Sequence, residues 1–326
     1  MRKDLKKMKR NAGYLFLVIT FFCWGSIYIV SKYALAVMGP VTVGLCRYAV
    51  SVLCLYGILK LKGGARKVKR EHWKYLLVLG GLGYFLSIIL QLGGTALLSG
   101  SMASLINSLN PVVISVMAAL FLKEKITWKN VVSIVVSLIG VYIILGKGSM
   151  EINMMGVLCS IASVILWSAA SVSIRKISGY YDPVQTALYG MAIALVFNIP
   201  AAVIENVFVT RSHPTAVALG ACLFVAVFGT AVAHTCWNKS LQLLNASTCS
   251  MFYPLQPLVS AVMGVLLLHE VITPSFVIGA VLICAGVVVT FLPSKAKCPI
   301  PPETGKEIHF LQETVIDLCL LLSGFA

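Results

Sequence analysis

A succession of apolar runs, each about twenty residues long, sets what this chain can fold into. At ~1.5 Å per helical residue, twenty residues span the ~30 Å hydrocarbon core of a bilayer. Ten such runs follow one another, at 14–36, 41–59, 75–98, 102–122, 128–146, 154–174, 184–204, 219–243, 246–268 and 274–292. They are continuous rather than alternating, which favours helices over a barrel. Only 11% of residues are charged and 59% are hydrophobic, where a soluble domain carries about a quarter charged residues. The expected fold class is an all-α polytopic membrane protein with ten transmembrane helices.

The runs come in two matching sets of five. Shifting the chain by 143 residues lays Gly13, Trp24, Lys32, Pro40 and Ala49 on Gly156, Trp167, Arg175, Pro183 and Ala192. A shift of 146 lays Gly83, Ser101, Ser104, Leu109, Pro111, Met117, Glu124, Thr127 and Gly140 on Gly229, Ser247, Ser250, Leu255, Pro257, Met263, Glu270, Thr273 and Gly286. The expected domains are therefore a basic N-terminus at 1–13, a first repeat at 14–146, a second at 154–292 and a tail at 293–326. A five-helix unit ends on the side opposite its start, so the second copy enters the membrane inverted. Duplicated membrane units are a common skeleton of secondary transporters, with substrate held where the copies meet.

Charge sets the orientation. Of the 26 Lys and Arg residues, 22 fall on one side of the resulting topology, two (Lys147, Arg211) on the other, and two (Lys32, Arg47) inside spans. The positive-inside rule then places both termini in the cytoplasm, and the expected location is the inner cell membrane. The net charge of +15 is accounted for by these edges, which face anionic lipid headgroups; no aromatic-rich soluble module is present to bind nucleic acid. Met1–Arg10 and the following apolar run resemble a signal peptide, but the run exceeds a signal core and Trp24 has a repeat partner, so it is read as the first helix. Ten cysteines, without a Cys-x-x-Cys pair, imply packed thiols rather than a metal site. No cofactor is expected.

The polar residues at membrane depth are the candidates for function. Lys32 and Arg47 sit roughly 6–9 Å below the outer edge on consecutive spans. A charge near a helix centre costs ~2.5–3.5 kcal/mol on insertion scales, less toward an interface, and is retained for a partner or a cavity; snorkelling to the headgroups is the alternative. If either faces a cavity, the substrate bears a carboxylate or similar anion. The fourth span carries Ser101, Ser104, Ser108 and Ser115 on one face, with Asn107 and Asn110 beside them. Pro111 and its mate Pro257, preceded by Asn110 and Gln256, free backbone carbonyls near mid-span and mark expected helix breaks at the binding site. His234 suits either a proton carrier or a neutral hydrogen-bonded histidine. Trp24, Trp167, Tyr189 and Tyr253 are candidate walls of an organic-substrate pocket or, equally, packing residues.

The acids are informative by position. All eleven lie in tails, loops or helix ends, so a cation exporter that works by protonating a mid-membrane carboxylate lacks its carboxylate. Thr127 and Thr273 are placed to cap the fifth and tenth helices, with Glu124 and Glu270 near positive helix ends.

Trp24-Gly25-Ser26 with Lys32 and Arg47, and the run Ser101…Asn110-Pro111…Glu124-Lys125-Ile126-Thr127…Gly140, resemble an EamA-type repeat of the drug/metabolite transporter superfamily. Trp167-Ser168…Arg175, Pro257, Glu270-Val271-Ile272-Thr273 and Gly286 resemble a second. The resemblance covers 14–292 and implies a ten-helix inverted-repeat carrier with a central cavity. Such carriers export amino acids or related metabolites, and some move drugs, nucleosides or sugar derivatives. One departure from symmetry is that Arg47 maps onto Gly190, confining any anion site to the first half.

The expected function is a secondary transporter, an exporter of small amino-acid-like or carboxylated metabolites by alternating access, and not an enzyme. Lys32 and Arg47 would attract the anion, Asn107, Asn110, Tyr253 and Gln256 would orient the molecule, and the aromatics would wall it. A multidrug exporter of hydrophobic compounds is the alternative. A proton as coupling ion, and a monomer or homodimer, stay open.

Overall fold

Proline opens and glycine closes the second helix. Pro40 takes the first position of its helix behind Gly39, where a missing N–H is harmless. Gly63 and Gly64 follow its end at φ 92° and 89°, a left-handed backbone that glycine adopts without a Cβ clash. The computed structural model describes residues 2–98, 100–124, 128–145 and 153–268, with 274, 277–279, 281–282 and 285–286. Among these, every regular element is helical.

The elements are α1 Arg2–Leu35, α2 Pro40–Leu61, α3 Arg70–Leu97, α4 Gly100–Asn107, α5 Asn110–Leu122, α6 Trp128–Leu145, α7 Met154–Ile177, α8 Pro183–Val209, α9 Ala216–Leu243, α10 Ala246–Ser250 and α11 Leu255–Leu268. Seven helices among the described residues are long and apolar enough to cross a membrane, counting Ala246–Leu267 as one. The chain is a multi-pass membrane protein. The expected tenth span, 274–292, lies largely outside the described residues, as do Thr127, Glu270, Thr273 and the tail 293–326. α1 runs back through the basic N-terminus to Arg2 rather than starting near residue 14; Lys and Arg are good helix formers, and with no proline between Arg2 and Tyr14 the single Gly13 is tolerated.

Two expected spans are interrupted. The fourth is split into α4 and α5 by a turn at Ser108–Leu109, and the ninth into α10 and α11 by a turn at Met251–Pro254. Pro111 has no N–H for the carbonyl of Asn107 four residues back. The Asn110 side chain supplies the missing donor, Nδ2 to that carbonyl at 2.8 Å. In the second half the break begins at Met251, with Pro254 closing the turn and Pro257 already inside α11. The carbonyl that Pro257 frees, that of Tyr253, accepts from the amide of Gln256 at 2.9 Å.

Packing runs mainly between the two halves of the chain. α1 lies against α9 and α11, α2 against α8 and α9, and α7 against α3, α4 and α5. Small residues set the close approaches: a Cβ on Gly80 would stand 2.8 Å from the carbonyl of Gly190 and 2.5 Å from the Cβ of Ile193, so α3 meets α8 backbone to backbone. The α2–α8 pair is tied at both ends. At the face where α1 starts, Lys62 Nζ meets Asp182 Oδ2 at 2.8 Å. At the opposite face the Glu205 carboxylate accepts from the amides of Val41 (2.9 Å) and Thr42 (2.8 Å), capping the positive end of α2. α6 sits at the periphery, where Ser133 Oγ donates to the carbonyl of Gly286 at 2.6 Å.

Candidate functional site

Where the halves meet, α1, α2, α3, α4, α7, α9 and the α10–α11 turn enclose a cavity with about 380 Å³ of empty space, part of it open to the outside. Trp24, Ile27, Arg47, Ser87, Ile88, Gln91, Asn107, Ser163, Trp167, His234, Tyr253 and Gln256 line it. Seven of the ten sequence candidates for substrate contact therefore converge here: Trp24, Arg47, Asn107, Trp167, His234, Tyr253 and Gln256.

Among the described residues, Arg47 is the one charged residue that lines the cavity. It is 1% exposed, and its Nε donates to Thr230 Oγ1 at 2.9 Å. Thr230 in turn donates to the carbonyl of Val225 at 2.8 Å, five residues back in a π-helical stretch, Val225–Val232, in the middle of α9. π-Bulges recur at functional sites, and here the widened turn holds the hydroxyl that orients the guanidinium. The ring of Tyr48 lies 5.5 Å from Arg47 Cζ. Arg47 Nη1 is buried and has no hydrogen-bond partner among the described residues.

Aromatic rings form the opposite character. Trp24 and Trp167, mates in the repeat, stand edge to face with centroids 5.5 Å apart. The His234 imidazole meets both, at 5.2 and 5.4 Å, and Tyr84 at 4.9 Å. Its Nδ1 bonds to the carbonyl of Thr230 at 3.0 Å; a carbonyl only accepts, so Nδ1 carries the proton. The Trp167 indole N–H donates to Tyr253 OH, which joins α7 to the second break. The Gln256 side-chain oxygen is buried and unpartnered among the described residues. Across the cavity Gln91 Nε2 donates to Tyr28 OH at 2.6 Å.

Three candidates do not reach the cavity. Lys32 turns away: its Nζ donates to the carbonyl of Leu98 at 2.6 Å, covering the negative end of α3. Tyr189 stacks on Trp73, centroids 6.3 Å apart, on the far side of α8. Asn110 is spent on the helix break beneath the cavity, bonding Asn107 Oδ1 at 2.9 Å as well as the freed carbonyl. Glu124 caps a helix start in the other half of the chain, while residues 125–127, which lead into the helix that follows it, lie outside the described residues. It accepts from the amides of Ala246 and Ser247, both at 3.2 Å, and from Ser247 Oγ at 3.0 Å, with Arg175 Nε 3.6 Å away. It thus ties the first half to the start of α10 in the second.

Sequence reasoning missed Ile27, Ser87, Ile88, Gln91 and Ser163. Gln91 carried a usable signal, an amide well inside an apolar span. The serines did not: Ser87 Oγ donates to the carbonyl of Ser163 at 2.9 Å, as packing serines do. Among the described residues no cluster of three or more His, Cys, Asp or Glu could hold a metal.

Comparison with known proteins agrees with this architecture. The model of the EamA-like transporter family matches residues 11–146 and again 154–292. An uncharacterized transporter of Archaeoglobus fulgidus is 26% identical over 84% of this chain and 96% of its own length. The uncharacterized transporter YyaM of Bacillus subtilis is 27% identical over 86% and 93%. A Chlamydia trachomatis protein named S-adenosylmethionine/S-adenosylhomocysteine transporter is 25% identical over 80% and 83%. A solved crystal structure shares the fold, with a TM-score of 0.73 at 16% identity over 86% of this chain and 97% of that one. With two family segments spanning nearly all of its helices, the chain belongs to the EamA-like transporter family.

Proposed function

We propose that this transporter exports small carboxylated, amino-acid-like metabolites by alternating access across the inner cell membrane, with both termini in the cytoplasm. Its helices form two inverted five-helix repeats, and the cavity between them opens to each side in turn. The observation that carries the substrate class is Arg47: a buried guanidinium with Nη1 unpartnered among the described residues, on the wall of an aromatic cavity. A carboxylate is the planar acceptor that a guanidinium fork binds best. Asn107, Tyr253 and Gln256 are placed to meet the rest of the molecule, and Trp24 and Trp167 to cover its apolar part. The substrates for which the Chlamydia relative is named carry an α-amino carboxylate, in keeping with this class. The inverted-repeat reading is supported by the contact pattern, in which α1 on α9 is matched by α7 on α3, and α1 on α11 by α7 on α4 and α5.

The test is to compare metabolites in the medium of cells with and without the protein. Carboxylated metabolites should accumulate outside cells that express it. Accumulation of cationic or uncharged compounds alone would overturn the assignment.

A further inference from the structure

Among the described residues Arg47 has a charge and no acid to balance it. No described carboxylate lines its cavity, and the sequence places all eleven acids in tails, loops or helix ends. A buried lysine or histidine escapes such a site by losing its proton; a guanidinium does not. Rotation away from the cavity is blocked too, because Nε is held by Thr230 Oγ1 at 2.9 Å and that hydroxyl is itself fixed to the Val225 carbonyl. The Tyr48 ring offers only a partial, quadrupolar counterpart. A bound carboxylate balances the charge when substrate is present. When substrate leaves, the Arg47 guanidinium on the cavity wall has, at its buried Nη1, no protein acceptor among the described residues, and no described carboxylate lines the cavity.

We infer that the substrate-free cavity takes a small monovalent inorganic anion, such as chloride, on Arg47, and that a substrate carboxylate displaces it. The inference rests on the carboxylate reading above and adds the ligand of the return stroke. The carrier then works as an anion exchanger: a carboxylate moves one way, an inorganic anion the other, and Arg47 crosses each half-cycle paired.

The experiment uses the purified full chain, with chloride and acetate as the probes. Melting temperature is followed in rising sodium chloride, in rising sodium acetate, and in acetate at fixed chloride, for wild type, Arg47→Gln and Arg47→Lys. Chloride should raise the melting temperature of wild type with the logarithmic concentration dependence of a single site, less in Arg47→Lys, whose amine can shed its proton, and not in Arg47→Gln. Chloride at about ten times its dissociation constant should weaken acetate's apparent affinity about tenfold, since the two compete for one site. That competition is read on wild type alone, so it stands even if a variant fails to fold. If acetate stabilises and chloride neither stabilises nor competes, the inorganic-anion inference fails while the carboxylate reading survives. If chloride shifts Arg47→Gln as much as wild type, the anion binds elsewhere and the inference is overturned. If neither probe acts, both readings fall.

Discussion

Arg47→Gln is expected to weaken carboxylate binding by about 10- to 100-fold while leaving the protein, in buffer free of substrate and of chloride, at least as heat-stable as wild type. Both halves of that result follow from one geometry. A hydrogen bond to a charged partner is worth roughly 1.5–3 kcal/mol, and each ~1.4 kcal/mol is a factor of ten in affinity. Arg47 lines the cavity, and its buried Nη1 has no partner among the described residues, so glutamine forfeits the charged hydrogen bond to a substrate carboxylate and the charge behind it. In the absence of ligand the balance reverses. A buried ion carries an effective desolvation penalty of several kcal/mol, and Arg47, 1% exposed and without an acid partner among the described residues, bears it with only Thr230 and the Tyr48 ring in return. Binding assays and thermal melts on the same preparations check both parts. A variant that melts well below wild type without ligand, and still binds carboxylates normally, would make Arg47 a structural cation.

Glu124→Ala is expected to have the opposite signature, a loss of stability of about 3–5 kcal/mol, the range for removing one partner of a buried ion pair. The side chains of Glu124 and Arg175 are 7% and 11% exposed. Alanine leaves that guanidinium without its carboxylate and returns the amides of Ala246 and Ser247 to the unpaired state of an open helix start. Arg175 retains its bond to the Leu241 carbonyl at 2.6 Å, so Glu124→Gln, which keeps an acceptor near α10, should fall between alanine and wild type. Because the two side chains interact, the double variant Glu124→Ala/Arg175→Leu should lose less than the sum of the singles, by roughly 0.5–3 kcal/mol. Thermal melts of the four proteins measure this coupling. Strict additivity would show that the pair is only a near neighbour contact.

Depth along a helix was legible in the sequence; direction around it was not. Lys32 and Arg47 lie at similar depth on consecutive spans, and only the packing partner separates them. α1 turns Lys32 toward the end of α3, whereas α2 turns Arg47 toward the π-turn of α9. Trp24 and Trp167, laid on each other by the 143-residue shift, do meet, with ring centroids 5.5 Å apart. Tyr189 has no such mate and packs outward on Trp73. The helix breaks were visible through their prolines, but Asn110 shows a limit of that reading: an amide beside a proline has a local carbonyl to satisfy before it can serve a ligand. The π-helical stretches of α3 and α9 left no pattern to read, since one extra residue per turn requires no particular composition. Glu124 was recognised as a helix cap, yet its partner lies 122 residues away, beyond any local rule.

The most direct measurement is binding of matched acid–amide pairs to the purified protein in chloride-free buffer, read by the fluorescence of Trp24 and Trp167 on the cavity wall. Each pair, an amino acid and its amide or a carboxylic acid and its amide, differs only in the carboxylate. If Arg47 is the substrate anchor, wild type binds the acids about 10- to 100-fold more tightly than their amides, and Arg47→Gln binds both alike. Equal affinity for acids and amides in wild type, or a preference that persists in Arg47→Gln, would contradict a carboxylate site at Arg47.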